Sequence, residues 1–143
     1  MKLIPRLAAL VAVAALLVGC SSSPLSPTTG PTAATAPAAG SSVSPANFAA
    51  ATKLPDTVIL DVRTPQEFAS GHLANAVNVD VENSGFMTNI AALDQSKTYA
   101  VYCRSGNRSK VAMSAMAQAG FIQFYDLDGG INAWQSAGGE VVS

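Results

Sequence analysis

Two cysteines stand in this chain, and only Cys103 has neighbours suited to chemistry on sulfur. It opens the run Cys103-Arg104-Ser105-Gly106-Asn107-Arg108, in which small and polar residues sit between two arginines. A free cysteine ionises near pH 8.5, and beside cations at a helix start its pKa falls to about 3.5–7.5. Arg104 and Arg108 are cationic at every relevant pH, and Gly106 provides the backbone freedom a tight curl needs. If the curl turns successive N–H groups inward, it forms an anion cradle around a nucleophilic thiolate. An inert core cysteine would sit among apolar residues, which these are not. His72, the one histidine, cannot make a metal cluster alone, and no metal-ligand spacing or glycine-rich phosphate motif occurs, so neither metal nor cofactor is expected.

Such a loop needs a strand before it and a helix after it. Thr98–Tyr102 is apolar along its length, as a central parallel strand should be. Ser109–Ala119 is rich in Ala, Met, Lys and Gln, good helix formers, and ends at Gly120. Upstream, Ser44-Pro45 opens a capped helix. Thr57–Leu60 reads as a buried strand running into Asp61-Val62-Arg63. Thr64-Pro65-Gln66-Glu67 is a capping box, with Gly71 closing the helix. Ala76–Val79 reads as a second strand, Asn89–Leu93 as a short helical stretch, Phe124–Leu127 as a further strand and Ile131–Gln135 as a short helix. Glu140–Val142 suits an edge strand. Strands alternating with helices predict an α/β domain, a small and mostly parallel sheet with helices on both faces. Ligands bind such sheets at the carboxyl ends of the strands, where Cys103 lies. Tyr99, Tyr102, Met113, Met116 and Trp134 are expected to pack the core.

The N-terminal part reads differently. Lys2 and Arg6 precede an apolar run, Leu7–Val18, of about 12 residues, too short to span a bilayer and of the length of a signal peptide. Leu17-Val18-Gly19-Cys20 resembles the lipobox of bacterial lipoproteins, which implies cleavage after residue 19 and lipid on Cys20. Each buried methylene contributes about 0.8 kcal/mol, so two or more chains hold a protein on a membrane stably. Apart from Cys20, Leu25 and Val43, residues 20–43 are Ser, Thr, Pro, Ala and Gly with no charge, the composition of a disordered tether. Residues 44–143 remain for the domain. The chain carries 8 basic and 9 acidic side chains, and without Lys2 and Arg6 the net charge is −3. That balance offers no basic patch for nucleic acid.

Three ordered segments resemble the single-domain rhodanese (thiosulfate sulfurtransferase) family across nearly all of residues 44–143. They are Asp61–Phe68 with Gly71–Asn78, Tyr102–Ser109, and Asp126–Trp134 with Ala137-Gly138. The resemblance implies a rhodanese-like fold and a sulfurtransferase. Cys103 would carry a persulfide sulfur from an anionic donor such as thiosulfate to cyanide or a thiol. The amides of Arg104, Ser105, Gly106, Asn107 and Arg108 would hold donor and persulfide. Arg63 would add positive charge at the pocket mouth, Asp61 would tie the loop structurally, and His72 would have a structural hydrogen-bonding role. The family's loop has six residues from Cys to Arg, as here, whereas the related dual-specificity phosphatases have seven, so sulfur is favoured over phosphate. The alternative is a non-catalytic rhodanese-like module that binds a partner or senses redox state through Cys103. A disulfide oxidoreductase is disfavoured, because the domain has no resolving cysteine.

Overall fold

A computed structural model describes residues 35–143. The signal segment, Cys20 and most of the tether lie outside the described residues. The elements in chain order are β1 (Ser42–Val43), α1 (Pro45–Ala51), β2 (Thr57–Asp61), α2 (Pro65–Ala69), β3 (Val77–Asn78), α3 (Phe86–Ala91), β4 (Thr98–Tyr102), α4 (Asn107–Gln118), β5 (Phe124–Leu127) and α5 (Gly130–Ser136). The strands form one sheet in the order β1-β5-β4-β2-β3, and every pairing is parallel.

β4 lies in the middle of this sheet, and its side chains alternate as a two-sided core demands. Tyr99, Val101 and Cys103 join Leu60, Val62, Ile90, Met113 and Met116 on the face covered by α3 and α4. Ala100 and Tyr102 join Phe48, Tyr125, Leu127 and Ile131 on the face covered by α1 and α5. Helices therefore cover both faces, and the expected α/β architecture holds. Trp134 packs against the second cluster, edge-on to Phe48 with ring centroids 6.3 Å apart.

Local signals placed two helix starts. Ser44 caps α1, its hydroxyl accepting from the Asn47 amide with Pro45 at the first position. Thr64 and Glu67 form the reciprocal capping box at the start of α2.

Several boundaries differ from the sequence reading. Ser42–Val43, assigned there to the tether, form β1 and pair with Asp126–Leu127, so the sheet begins before residue 44. Two residues of Ser and Val carry little periodicity, and only their parallel pairing with β5 makes them a strand. Glu140–Val142 is not an edge strand but contributes a single antiparallel bridge between Val142 and His72. The helix predicted over Asn89–Leu93 starts earlier, at Phe86, because Phe86 and Ile90 are both buried one turn apart.

Candidate active site

Parallel strands β2 and β4 end side by side, with Asp61 paired to Tyr102. The chain leaves β4 into Cys103, and α4 begins at Asn107, so the last two residues of the predicted loop, Asn107 and Arg108, form the first turn of the helix. Gly106 makes the turn possible. Its φ is +96°, a left-handed conformation in which a side chain is strained, and it stands at the helix N-cap without any side-chain cap. The first amides of α4 are thus free to face inward.

The loop and this first turn both supply groups to the sulfur. The Gly106 N–H donates to Cys103 Sγ at 3.1 Å, and the Ser109 hydroxyl lies 3.7 Å from the same atom. Burial pushes the thiol's pKa up. The amide and hydroxyl of Ser109 and the amides of Ser105 and Gly106 outweigh it, leaving the thiol more acidic than a free cysteine. Cys103 is nonetheless only 1% exposed and belongs to the core cluster of β4 and α4. Its neighbours in sequence are polar, but its place at the end of an inward-facing position on β4 buries it. Ring-directed amides, rather than exposure, distinguish it from an inert core thiol.

Outward-facing carbonyls complete the curl. The Ile131 N–H donates to the Cys103 carbonyl at 2.9 Å and the Asn132 N–H to the Arg104 carbonyl at 3.2 Å. The start of α5 therefore caps the loop from outside, and the close approach depends on Gly130. A Cβ there would lie 2.5 Å from the Cys103 oxygen and 2.6 Å from the Arg104 carbonyl carbon. Gly130, the first residue of α5, thus has a steric reason that its position in the sequence does not disclose.

The expected site residues do not all face one ligand. Arg63 is 5% exposed and bound to Asp61, its Nε 2.9 Å and 3.0 Å from the two carboxylate oxygens and its Nη2 2.6 Å from Oδ2. Its Nη2 also donates to the Gly71 carbonyl at 2.7 Å. Burial works against the Arg63 charge, and the Asp61 carboxylate more than restores it. Asp61 was expected to tie the loop. Its carboxylate holds Arg63 instead, because the side chains two residues apart at the strand end turn toward each other.

Arg108 is engaged as well. Its Nη2 lies 2.7 Å from Glu67 Oε1, and its Nη1 lies 2.8 Å from Glu67 Oε2 and 3.0 Å from Glu82 Oε2. The hydrogen bonds from Arg108 hold the Glu67 carboxyl down at a pKa of about 2. Arg108 thus binds α4 to α2 through its side chain, and the amides that act on the sulfur are those of Ser105, Gly106 and Ser109. Arg104 is exposed and has no acidic partner among the described residues. It lines a cleft of about 300 Å³ together with Arg63, Glu67, Ser70, Asn132 and Gln135. Cys103 does not line this cleft; Arg104, the next residue, does. His72 stacks on Phe68 with centroids 3.7 Å apart, and its Nδ1 lies 3.0 Å from the Phe68 carbonyl oxygen, a structural position at the end of α2.

Sequence reasoning did not single out Asp126. This carboxylate is fully buried in β5, accepting from Ser109 Oγ at 2.7 Å and from Ser42 Oγ. Its signal was present, since an acid inside the apolar run Phe124-Tyr125-Asp126-Leu127 must find donors or remain uncompensated. Which donors it finds depends on β1 and α4 arriving from distant parts of the chain.

Comparisons with known proteins agree with this geometry. A family model described as the rhodanese-like domain matches residues 44–137. Thiosulfate sulfurtransferase GlpE of Pseudomonas aeruginosa is 38% identical over 78 residues, covering 54% of this chain and 69% of the relative. The chloroplastic thiosulfate sulfurtransferase 16 of Arabidopsis thaliana is 38% identical over 89 residues, 55% of this chain and 74% of that one. The crystal structure of a rhodanese-related protein from Thermoplasma volcanium superposes with a TM-score of 0.64 at 34% identity, over 71% of this chain and 97% of that chain. With a domain match across most of its length and the acidified thiol at the strand end, the chain belongs to the rhodanese-like domain family.

Proposed function

We propose that this protein is a sulfurtransferase that moves a sulfane sulfur through a persulfide on Cys103. The observation that carries the reading is the acidified Cys103 sulfur inside a curl of amides at the start of α4. The thiolate attacks the outer sulfur of a donor such as thiosulfate. A sulfur–sulfur bond forms to Cys103, the donor's own sulfur–sulfur bond breaks, and its electron pair leaves with sulfite. Cyanide or a thiolate then attacks the outer persulfide sulfur, and the bonding pair returns to Sγ. No external oxidant or reductant is needed. The inward amides stabilise the negative charge on the persulfide, as preorganised dipoles do for developing anions. Arg104, exposed in the cleft wall, attracts the anionic donor.

The chain is also read as exported, with lipid on Cys20 holding the domain to a membrane on the periplasmic or outer side through the tether. The run Leu17-Val18-Gly19-Cys20 supports that reading.

Burial of Cys103 favours one competing reading, a non-catalytic module whose thiol serves structure. Thiosulfate:cyanide transfer by the protein, with Cys103→Ala as control, separates the two. Sulfurtransferase function requires thiocyanate production by the wild type only and a mass increase of one sulfur on Cys103. Equal inactivity of both proteins, with no added sulfur, refutes it. Fatty-acid labelling that disappears in Cys20→Ser supports the anchor, and absence of label from the unmutated chain refutes it.

A further inference from the structure

The Ser109 hydroxyl donates to Asp126 Oδ2 at 2.7 Å and to the Gly106 carbonyl at 3.1 Å, and its oxygen accepts from Cys103 Sγ at 3.7 Å. Once the thiol ionises, the sulfur becomes a third acceptor for the one hydroxyl proton. The shortest contact is to an oxygen of a carboxyl group, at an ordinary O–H···O distance, and the contact to sulfur is the longest of the three. Asp126 is fully buried and, among the described residues, has no basic partner; its other oxygen accepts from Ser42. It therefore has a strong claim on the Ser109 proton. A chain of contacts then runs from exposed Ser42 through Asp126 and Ser109 to the sulfur, away from the cleft that holds Arg104.

We propose that Asp126 is a positioning residue that draws the Ser109 hydroxyl away from Cys103 and so sets the basicity, and with it the nucleophilicity, of the sulfur. The amides of Ser105, Gly106 and Ser109 then carry most of the stabilisation of the thiolate, and the share of the Ser109 hydroxyl is reduced. The other charges around the loop are committed or exposed. Arg63 is bound to Asp61, and Arg108 to Glu67 and Glu82. Lys110 Nζ donates to the Gly106 carbonyl at 3.2 Å, and Arg104 and Asp128 are exposed.

The kinetic consequence rests on the sulfurtransferase reading. A less basic thiolate attacks more slowly, with a Brønsted coefficient of about 0.4–0.5, but departs more readily as a leaving group. Cys103 attacks when sulfur is loaded and departs when sulfur is delivered. Asp126 therefore favours loading at the expense of delivery.

A purely structural role for Asp126, joining β1 and α4 to β5, lowers stability without such a division. The test uses the full chain carrying Cys20→Ser, so that Cys103 is its single thiol. Thiolate absorbance is followed against pH, and sulfite and thiocyanate release are followed separately in single turnovers. Asp126→Asn is expected to lower the thiol's midpoint by about one pH unit. Above both midpoints, it should slow sulfite release about threefold and speed thiocyanate release. Asp126→Ser, a smaller neutral replacement, should move the midpoint the same way, and the shift should shrink by half or more in a Ser109→Ala background. The proposal is overturned if the folded Asp126 variants leave the midpoint unchanged or raise it, if both half-reactions slow together, or if the shift survives intact without the Ser109 hydroxyl. If the unmutated protein loads no sulfur, the sulfurtransferase reading fails, and the midpoints still decide the role of Asp126.

Discussion

Replacing Gly130 by alanine tests whether α5 really shapes the loop that holds Cys103. Gly130 has φ +60°, so an alanine there incurs the left-handed penalty of about 1 kcal/mol. Its Cβ would also lie 2.5 Å from the Cys103 carbonyl oxygen and 2.6 Å from both the carbon and oxygen of the Arg104 carbonyl. Those atoms are backbone and cannot swing aside as a flexible side chain would, so overpacking adds about 1–3 kcal/mol. The expected loss is therefore about 2–4 kcal/mol, or roughly 10–25 °C in melting temperature for a domain near 100 residues. Gly138 supplies the control. Its φ is +83°, but a Cβ there meets nothing within 4 Å, so Gly138→Ala should show the conformational penalty alone. Any gain from stiffening the unfolded chain is common to both variants and cancels in the difference. Chemical denaturation of the two proteins measures that difference. The pH dependence of Cys103 ionisation reads the loop directly, because displaced carbonyls carry their neighbouring amides away from sulfur. Gly130→Ala should raise the ionisation midpoint and Gly138→Ala should leave it in place. Equal stability losses in the two variants, or an unchanged midpoint in Gly130→Ala, would refute the role given to α5.

Acid should expose the contribution of the Glu67–Arg108 pair. Because the folded Glu67 ionises near pH 2, below its ordinary value of 4.5, the stability from this pair is complete above about pH 4.5 and is lost as pH falls toward 2. Both side chains are about a quarter exposed, and screening reduces the effect to about 1 kcal/mol. Glu67→Gln should be less stable than wild type at neutral pH and lose the difference in denaturation midpoint near pH 2; a constant difference across that range would disprove the assignment. Arg104→Ala should raise KM for thiosulfate about fivefold with a smaller effect on kcat, and added salt should narrow the gap between variant and wild type. Steady-state transfer kinetics at two ionic strengths check this, and an unchanged KM would remove Arg104 from donor attraction.

Much of the fold was legible locally. The caps at Ser44 and Thr64, the apolar run Thr98–Tyr102 and the helix-forming stretch after Gly106 each act through neighbours within a few residues, so spacing alone locates them. The candidate nucleophile was legible for the same reason, as its cysteine, glycine and flanking arginines are consecutive. What each charged group does was not legible. Arg63 and Arg108 were both expected to serve an anionic ligand, yet each is held by a carboxylate, Asp61 or Glu67, that folding brings to it. The strand Ser42–Val43 exists because β5 offers it a parallel edge, and its own two residues specify nothing.

The amino-acid order determined that a thiol would stand at the end of a central parallel strand, ahead of a helix and beside a glycine able to turn the chain. Tertiary structure decided the state of that thiol. Its burial, the outward capping of its loop by α5, and the competition between Asp126 and sulfur for the Ser109 proton all join residues far apart in the chain. Hydrogen bonding and desolvation act over a few ångströms in space, and sequence distance carries no record of which groups will come that close.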